Sequence, residues 1–124
     1  MAQFPAIEWF SEYARVLEQD EDFKANCRWF RGSIAFRVDG QAATLGFDDG
    51  LVTGVREGMD GADFVINGTA ATWDRMLHHD ITLLRVYRAG EIEIRGKNTE
   101  LMKNWKAIYW IAEGMKAVEG KGAR

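Results

Sequence analysis

Apolar residues recur along this chain with two different periods, and the changes between them divide it into elements. Ala6, Phe10, Tyr13, Ala14 and Leu17 fall at three- and four-residue spacing, while Glu8, Glu12, Arg15 and Glu18 lie elsewhere on the wheel. This is the pattern of an amphipathic helix, and Pro5 suits its first turn, where a missing N–H costs little. The acidic run Asp20-Glu21-Asp22 interrupts it and predicts a short second helix to about Cys27, with the acids at its positive end.

Residues 31 to 68 follow a period of two. Ile34, Phe36 and Val38 alternate with Ala35 and Arg37, and Asp39-Gly40 is a strong hairpin signal. Ala43, Leu45 and Phe47 alternate again up to Asp48-Asp49-Gly50. A third strand is expected over 51–56 and a fourth over 62–67, separated by Gly58 and Asp60-Gly61. Turns this short predict an antiparallel meander of four strands. The helical period then returns. Thr69 can cap a helix with Trp73, Met76 and Leu77, and Asp80 can cap another with Leu83, Leu84 and Tyr87, ending before Gly90. Glu91 to Arg95 alternate as a last strand, and Asn98 can cap a final helix running to about Val118. Helices, strands, helices, strand and helix in that order predict an α+β domain. No linker or repeat divides the chain, so 1–124 reads as a single domain with 119–124 as a frayed tail.

Composition narrows the function classes. The chain has 124 residues, enough for a core without disulfides or metal, and five Trp and seven Phe to fill it. Net charge is -3 and the cations are scattered, which argues against nucleic acid. A single cysteine, Cys27, fits a reducing compartment, and with no apolar run long enough to span a bilayer and no secretion signal the expected location is cytoplasmic. Candidate chemistry is sparse. His78 and His79 are adjacent, about 100° apart on a helix, whereas two ligands on one helix want a spacing of three or four. Ser11 and Ser33 lie in no nucleophile elbow, and no phosphate loop follows a strand. Arg28 beside Cys27 could lower its pKa, but the residue reads as a buried structural thiol; Asp48 and Asp49 read as turn formers, and whether they also form a carboxylate pair for acid–base work is a spatial matter. The expectation is a non-enzymatic protein with no metal and no cofactor.

The last helix carries the bulkiest signal. Leu101, Trp105, Ile108, Ala112 and Met115 share a narrow arc, flanked by Met102 and Tyr109 on one side and Ile111 and Val118 on the other. Such an arc can pack a core or wall a ligand. Trp110 lies opposite it, near Lys103 and Lys106, and reads either as a partner or membrane contact or as a residue covered by a neighbouring segment.

Four stretches in this order resemble the sterol carrier protein type 2 family: Gly32-Ser-Ile-Ala-Phe-Arg-Val-Asp-Gly, Gly50-Leu-Val-Thr-Gly-Val-Arg-Glu-Gly, the run from Ala62 through Asn67-Gly-Thr to Trp73 and Leu77, and Ala89-Gly-Glu-Ile-Glu-Ile-Arg-Gly. The likeness spans roughly residues 8 to 118. Lys97 stands where family members often have Asp, and Asn26-Cys-Arg-Trp-Phe-Arg-Gly is more aromatic and basic than the family pattern. The resemblance implies a five-stranded mixed sheet, mostly an antiparallel meander, covered by helices with a long C-terminal helix. It also implies a tunnel between sheet and helices for a long apolar ligand such as a fatty acyl chain, an acyl-CoA or a sterol. Position in that fold nominates Phe36, Leu45 and Phe47 as the floor. Trp73, Met76, Leu77, Leu83, Leu84 and Tyr87 form one wall, and Trp105, Ile108, Tyr109, Ala112 and Met115 the other. The alternative is the same fold with a filled core, serving as an accessory protein to a lipid-metabolism enzyme or a membrane. A small isomerase-like enzyme of the cone-shaped α+β type usually ends on long strands, whereas this chain ends on a helix.

Overall fold

The computed structural model describes residues 4–79 and 81–118. Helix α1 spans Ile7–Leu17, and Pro5 stands before its Ala6 N-cap rather than inside the first turn. Trp9, Phe10, Tyr13 and Leu17 form its buried face. Helix α2, Glu21–Cys27, starts at the acidic run. Asp20 Oδ1 accepts from the backbone N–H groups of Asp22 (2.9 Å) and Phe23 (3.2 Å), satisfying two of the donors that a helix start leaves bare.

The strands are β1 Gly32–Val38, β2 Gln41–Asp48, β3 Leu51–Glu57, β4 Phe64–Gly68 and β5 Ile92–Arg95, in the spatial order β3-β2-β1-β4-β5. The α+β class and the mixed five-stranded sheet are as expected. The four-strand meander is not. β1, β2 and β3 pair antiparallel, but β4 lies beside β1 and parallel to it, with Ile34 opposite Phe64 and Phe36 opposite Ile66. β5 pairs antiparallel with β4 on the far edge. The reason is burial. β3 has no buried residue, whereas Phe64 and Ile66 are buried, and a place between β1 and β5 covers them fully.

The chain therefore crosses the sheet between Glu57 and Phe64. Thr44 Oγ1 donates to the Gly58 carbonyl (2.7 Å) at the start of the crossing, and the N–H (2.9 Å) and Oγ (3.3 Å) of Ser33 donate to Asp63 Oδ2 at its end. Ala35, between them on that face, is buried, and Thr44 is too. A register shift at Gly46/Phe47 sets Val55 beside Leu45 and Val52 beside Phe47, so both valines turn half-buried toward the core. Gly50 in the β2–β3 turn is required. Its φ is +78°, and an added Cβ would lie 2.4 Å from the Arg28 Cα.

Helix α3, Ala70–His78, is capped by Thr69, whose hydroxyl accepts from the Thr72 N–H. Helix α4, Leu83–Arg88, is capped by Thr82 through the Arg85 N–H. Asp80, the expected cap, lies outside the described residues. The long C-terminal helix is three segments: α5 Asn98–Lys103, α6 Trp105–Glu113 and α7 Met115–Val118. The N-cap of α5 is Lys97 rather than Asn98, and neither it nor Asn104 makes a side-chain cap bond. The break at Asn104 follows from its backbone (φ -106°, ψ 11°), with its side-chain amide donating back to the Glu100 carbonyl (2.9 Å).

The helices cover one face of the sheet, and the core lies between. Ile34, Phe36, Val38, Ala43, Leu45, Phe47, Phe64, Ile66, Ile92 and Ile94 point into it. Phe10 and Tyr13 of α1 pack on Phe36, with ring centroids 5.6 and 5.7 Å away, and Trp73 closes the cluster 6.2 Å from Phe36. The Tyr13 hydroxyl donates to the Ile111 carbonyl, which ties α1 to α6.

Candidate apolar ligand site

The expected liners, Tyr109 apart, separate into two groups. Phe36, Leu45, Phe47, Trp73, Met76, Leu77, Leu83, Ile108, Ala112 and Met115 are all buried in the core. Several are held there by specific partners. The Trp73 indole N–H donates to the Arg37 carbonyl (2.9 Å), and its ring lies against Phe4 (5.7 Å) as well as Phe36. Phe47 meets Phe30 (5.5 Å) and Phe23 (6.0 Å).

Leu84, Tyr87 and Trp105 do something else. With Arg88, Leu101 and Met102 they line a surface groove of about 320 Å³ between α4 and the α5–α6 segments. Leu84, Tyr87 and Arg88 share one side of α4 at spacings of three and four, because Leu83 and Val86 take the inward positions. Across the groove, α5 has no buried residue, so Leu101 and Met102 are left for the groove. Tyr87 and Trp105 meet with centroids 5.2 Å apart. Met102 is 80 % exposed and Tyr87 39 %, a cost in apolar exposure that the core does not explain. Leu101 and Met102 are legible in the helical arc. Arg88 is a groove residue that periodicity did not single out, although its position four after Leu84 was a usable signal.

Three other clefts are as large or larger, and each has a charged lining. One of about 600 Å³ runs between the start of α1 and the β1–β2 hairpin, with Glu8, Arg37 and Glu57 on its walls. Another, of about 440 Å³, holds Arg31, Asp63, Lys97 and Glu100, and a third, of about 390 Å³, holds Arg37, Asp39, Glu91 and Glu93. The smaller groove is the apolar one of these four and has a single charged liner, which is the composition that binds long apolar molecules.

Tyr109 and Trp110 are half-buried, with their rings edge to face at 5.5 Å, and Trp110 packs against the core. Burial pushes the Tyr109 hydroxyl above its ordinary range, with Glu113 adding to the effect and Lys116 opposing it. Glu113 bonds Lys116 (2.7 Å) and accepts from the Leu83 N–H (3.0 Å), which fixes the start of α4 to the end of α6.

The residues considered for chemistry are otherwise engaged. Arg31 pairs with Asp48 (2.8 Å) and Asp49 (3.6 Å), and Asp49 has a φ of +52°, as a turn requires. His78 Nδ1 lies 2.7 Å from Asp74. Among the described residues no group of three or more His, Cys, Asp or Glu could hold a metal ion, and no helix is long and apolar enough to cross a membrane.

No family model matches the chain, and no curated protein matches it by sequence. Solved structures do. A crystal structure of sterol carrier protein 2 is similar with a TM-score of 0.81 at 24% identity, covering 92% of this chain and 98% of that one. A solution structure from Thermus thermophilus, described as a candidate sterol carrier protein, gives 0.79 at 24% identity over 94% of this chain and 90% of that one. Palmitated SCP2L2 from Aedes aegypti gives 0.59 at 16% identity over 89% and 94%. The chain has the sterol carrier protein 2 fold.

Proposed function

We propose that this protein binds a long apolar ligand, a fatty acyl chain or a sterol-like molecule, without chemical change to it. The α4–α5–α6 groove is the mouth of the site. The observation that carries this reading is the groove itself: Leu84, Leu101 and Trp105, half-buried, and Tyr87 and Met102, exposed, form an apolar wall open to the surface. A palmitated example of the same fold supports the ligand class. In the loaded protein, Leu83, Ile108, Ala112 and Met115 of the helices, with Met76 and Leu77, line the deeper part of the site, over the floor of Phe36, Leu45 and Phe47. Methionines adapt to irregular apolar shapes, which suits Met76, Met102 and Met115 to this role.

The energetics need no polar motif. Each buried methylene contributes about 0.8 kcal/mol, so a fourteen-methylene chain supplies about 11 kcal/mol. Against an association cost of about 4 kcal/mol or more, binding in the micromolar range is accessible. Palmitate at rising concentration is expected to raise Tm as RT ln(1 + [L]/Kd), by about 2.7 kcal/mol of stability at a hundredfold excess over Kd. Leu84→Asp and Trp105→Ala are expected to weaken palmitate binding about tenfold while the unliganded protein stays folded, since neither side chain is among the fully buried residues of the core. No shift with palmitate, palmitoyl-CoA or a sterol would sink the reading and favour the alternative, an accessory protein with a permanently filled core.

A further inference from the structure

The sheet ends in two strands of unlike character. β5 has four residues, and Glu91, Glu93 and Arg95 alternate with its apolar positions, Glu93 paired to Arg95 and Glu91 to Arg75. Shortness and charge keep an open strand edge from pairing with another chain. β3, at the other edge, has neither protection. It runs for seven residues, about 24 Å at about 3.4 Å per residue. Leu51 to Val55 contain no charge and no proline. Leu51 is 63 % exposed, and Met59, beyond the far end of the strand, 37 %. The pairing of β3 with β2 fixes which of its groups face out. The Gly58 N–H donates to the Ala42 carbonyl (2.8 Å), and from there Ala43 stands opposite Glu57, Thr44 opposite Arg56, Leu45 opposite Val55 and Gly46 opposite Gly54. Bonded and non-bonded pairs alternate in an antiparallel ladder. Arg56 and Gly54 therefore turn their N–H and C=O groups to β2, while Val55 and Glu57 turn theirs outward. No strand among the described residues pairs with them.

We infer that a second copy of this chain pairs with β3, antiparallel about a twofold axis through Val55, and joins the two five-stranded sheets into one continuous sheet. The register follows from the residues themselves. An outward residue must meet an outward residue, so the axis passes through a residue and not between two. With the axis through Val55, the two half-buried valines stand opposite each other and exchange both backbone bonds. Arg56 of each copy then stands opposite Gly54 of the other. Gly54 leaves room for it, since a Cβ built there would meet nothing within 4 Å. An axis through Arg56 would set two guanidinium groups face to face, and like charges directly opposite are destabilising. An axis through Gly54 would set Glu57 opposite the apolar Leu51. The edge thus matches itself in one register, which selects a second copy over a foreign strand, because a twofold contact uses the same surface twice. The α4–α5–α6 groove lies with α4 beside β5, at the opposite edge of the sheet. The pairing leaves it open and does not depend on the proposed ligand.

The test is sedimentation equilibrium of the full chain over roughly 10 μM to 1 mM, a range suited to a strand pair smaller than a standard interface, together with amide exchange. The expected result is a monomer–dimer equilibrium in which the Val55 and Glu57 amides exchange about fivefold more slowly at the high end of the range than at the low end. Two substitutions at one open position read the register. Gly54→Glu meets Arg56 of the other copy with opposite charge and is expected to tighten the dimer about fivefold, whereas Gly54→Arg meets it with like charge and is expected to weaken the dimer about fivefold. Both should melt like the parent at the low end of the range, since Gly54 is exposed and needs no left-handed backbone. Arg95→Glu, on β5, should dimerise like the parent. A monomer throughout the range overturns the inference and leaves the edge to a foreign strand. A dimer whose Val55 and Glu57 amides exchange as in the monomer overturns it too, as does a dimer lost by Arg95→Glu. If Gly54→Glu and Gly54→Arg act alike, the twofold axis does not pass through Val55 and the inference fails.

Discussion

Cys27 closes α2 with its Sγ 3.6 Å from the Ala107 carbonyl of α6, and the residue is fully buried. Burial pushes its thiol up from an ordinary 9.0 to about 12, with the Asp20 carboxylate adding and Lys106 opposing. Tyr13 moves in the same direction, also first through burial and then through Cys27, Asp20 and Glu113. The sign follows from which state holds the proton. Above the ordinary thiol value of 9.0 the unfolded chain ionises while the folded one keeps its proton, so the stability is whole below that value and lost as pH rises toward about 12. The expected slope from the thiol is about 1.4 kcal/mol per pH unit in that window. Thermal melts should be level from neutral pH to the thiol value and fall beyond it, less steeply in Cys27→Ala. The native thiol should also resist a disulfide reagent at about pH 8, where a thiolate would react within seconds. The structural reading of Cys27 rested on the habit of a lone cysteine to be buried, against a neighbouring Arg28 that could have lowered its pKa. The Ala107 contact could not be read in this way, because it joins residues far apart in the chain. Trp110 is a similar case. Its wheel position left a partner surface and cover by a neighbouring segment both open, and the structure has the ring half-buried and packed against the core.

At the level of elements, the Asp20 cap is the local interaction most open to measurement. Asp20→Ala removes the acceptor of two backbone donors and should cost about 1 kcal/mol in chemical denaturation, with Asp20→Ser recovering most of it. If the alanine variant is as stable as the parent, α2 is held by its packing on α6 alone. Helices α1, α3 and α6 and strands β1 and β2 were legible because each buries one face, and the period of its apolar residues reports that face directly. The bulge at Gly46/Phe47 was not, since it moves Val52 and Val55 onto one side without altering the run of residue types. Nor was the break at Asn104. The apolar arc continues across it from Leu101 to Met115, and the turn depends on one residue's backbone conformation. That break separates α5, with nothing buried, from α6, with four buried residues, and so distinguishes groove wall from core.

For the molecule as a whole, the decisive feature is the crossing from Glu57 to Phe64. Short turns suggested a meander because every hairpin signal is local. A parallel β1–β4 pairing is set by which strand buries Phe64 and Ile66 best, a question that involves the entire sheet. Thr44 anchors this crossing through its bond to the Gly58 carbonyl. Thr44→Val keeps the shape and removes the donor, and should cost about 1–2 kcal/mol, with faster amide exchange over 59–63 than over β1. An unchanged exchange pattern would mean that the Ser33–Asp63 bonds hold the segment unaided. The groove was partly legible for the same reason. Its apolar residues sit in readable helices, but which arcs face each other depends on how those helices are laid over the sheet.

The crossing also has a consequence for biosynthesis. β1 is an apolar strand bounded on one side by β2, and its other edge is covered only when β4 arrives. A nascent chain that has emerged as far as Glu57 can close both hairpins yet carries Ile34, Ala35, Phe36 and Val38 on an open edge. Until Gly68 clears the ribosome, that edge is free to pair with another chain, and its protection is a matter of translation timing rather than of final stability.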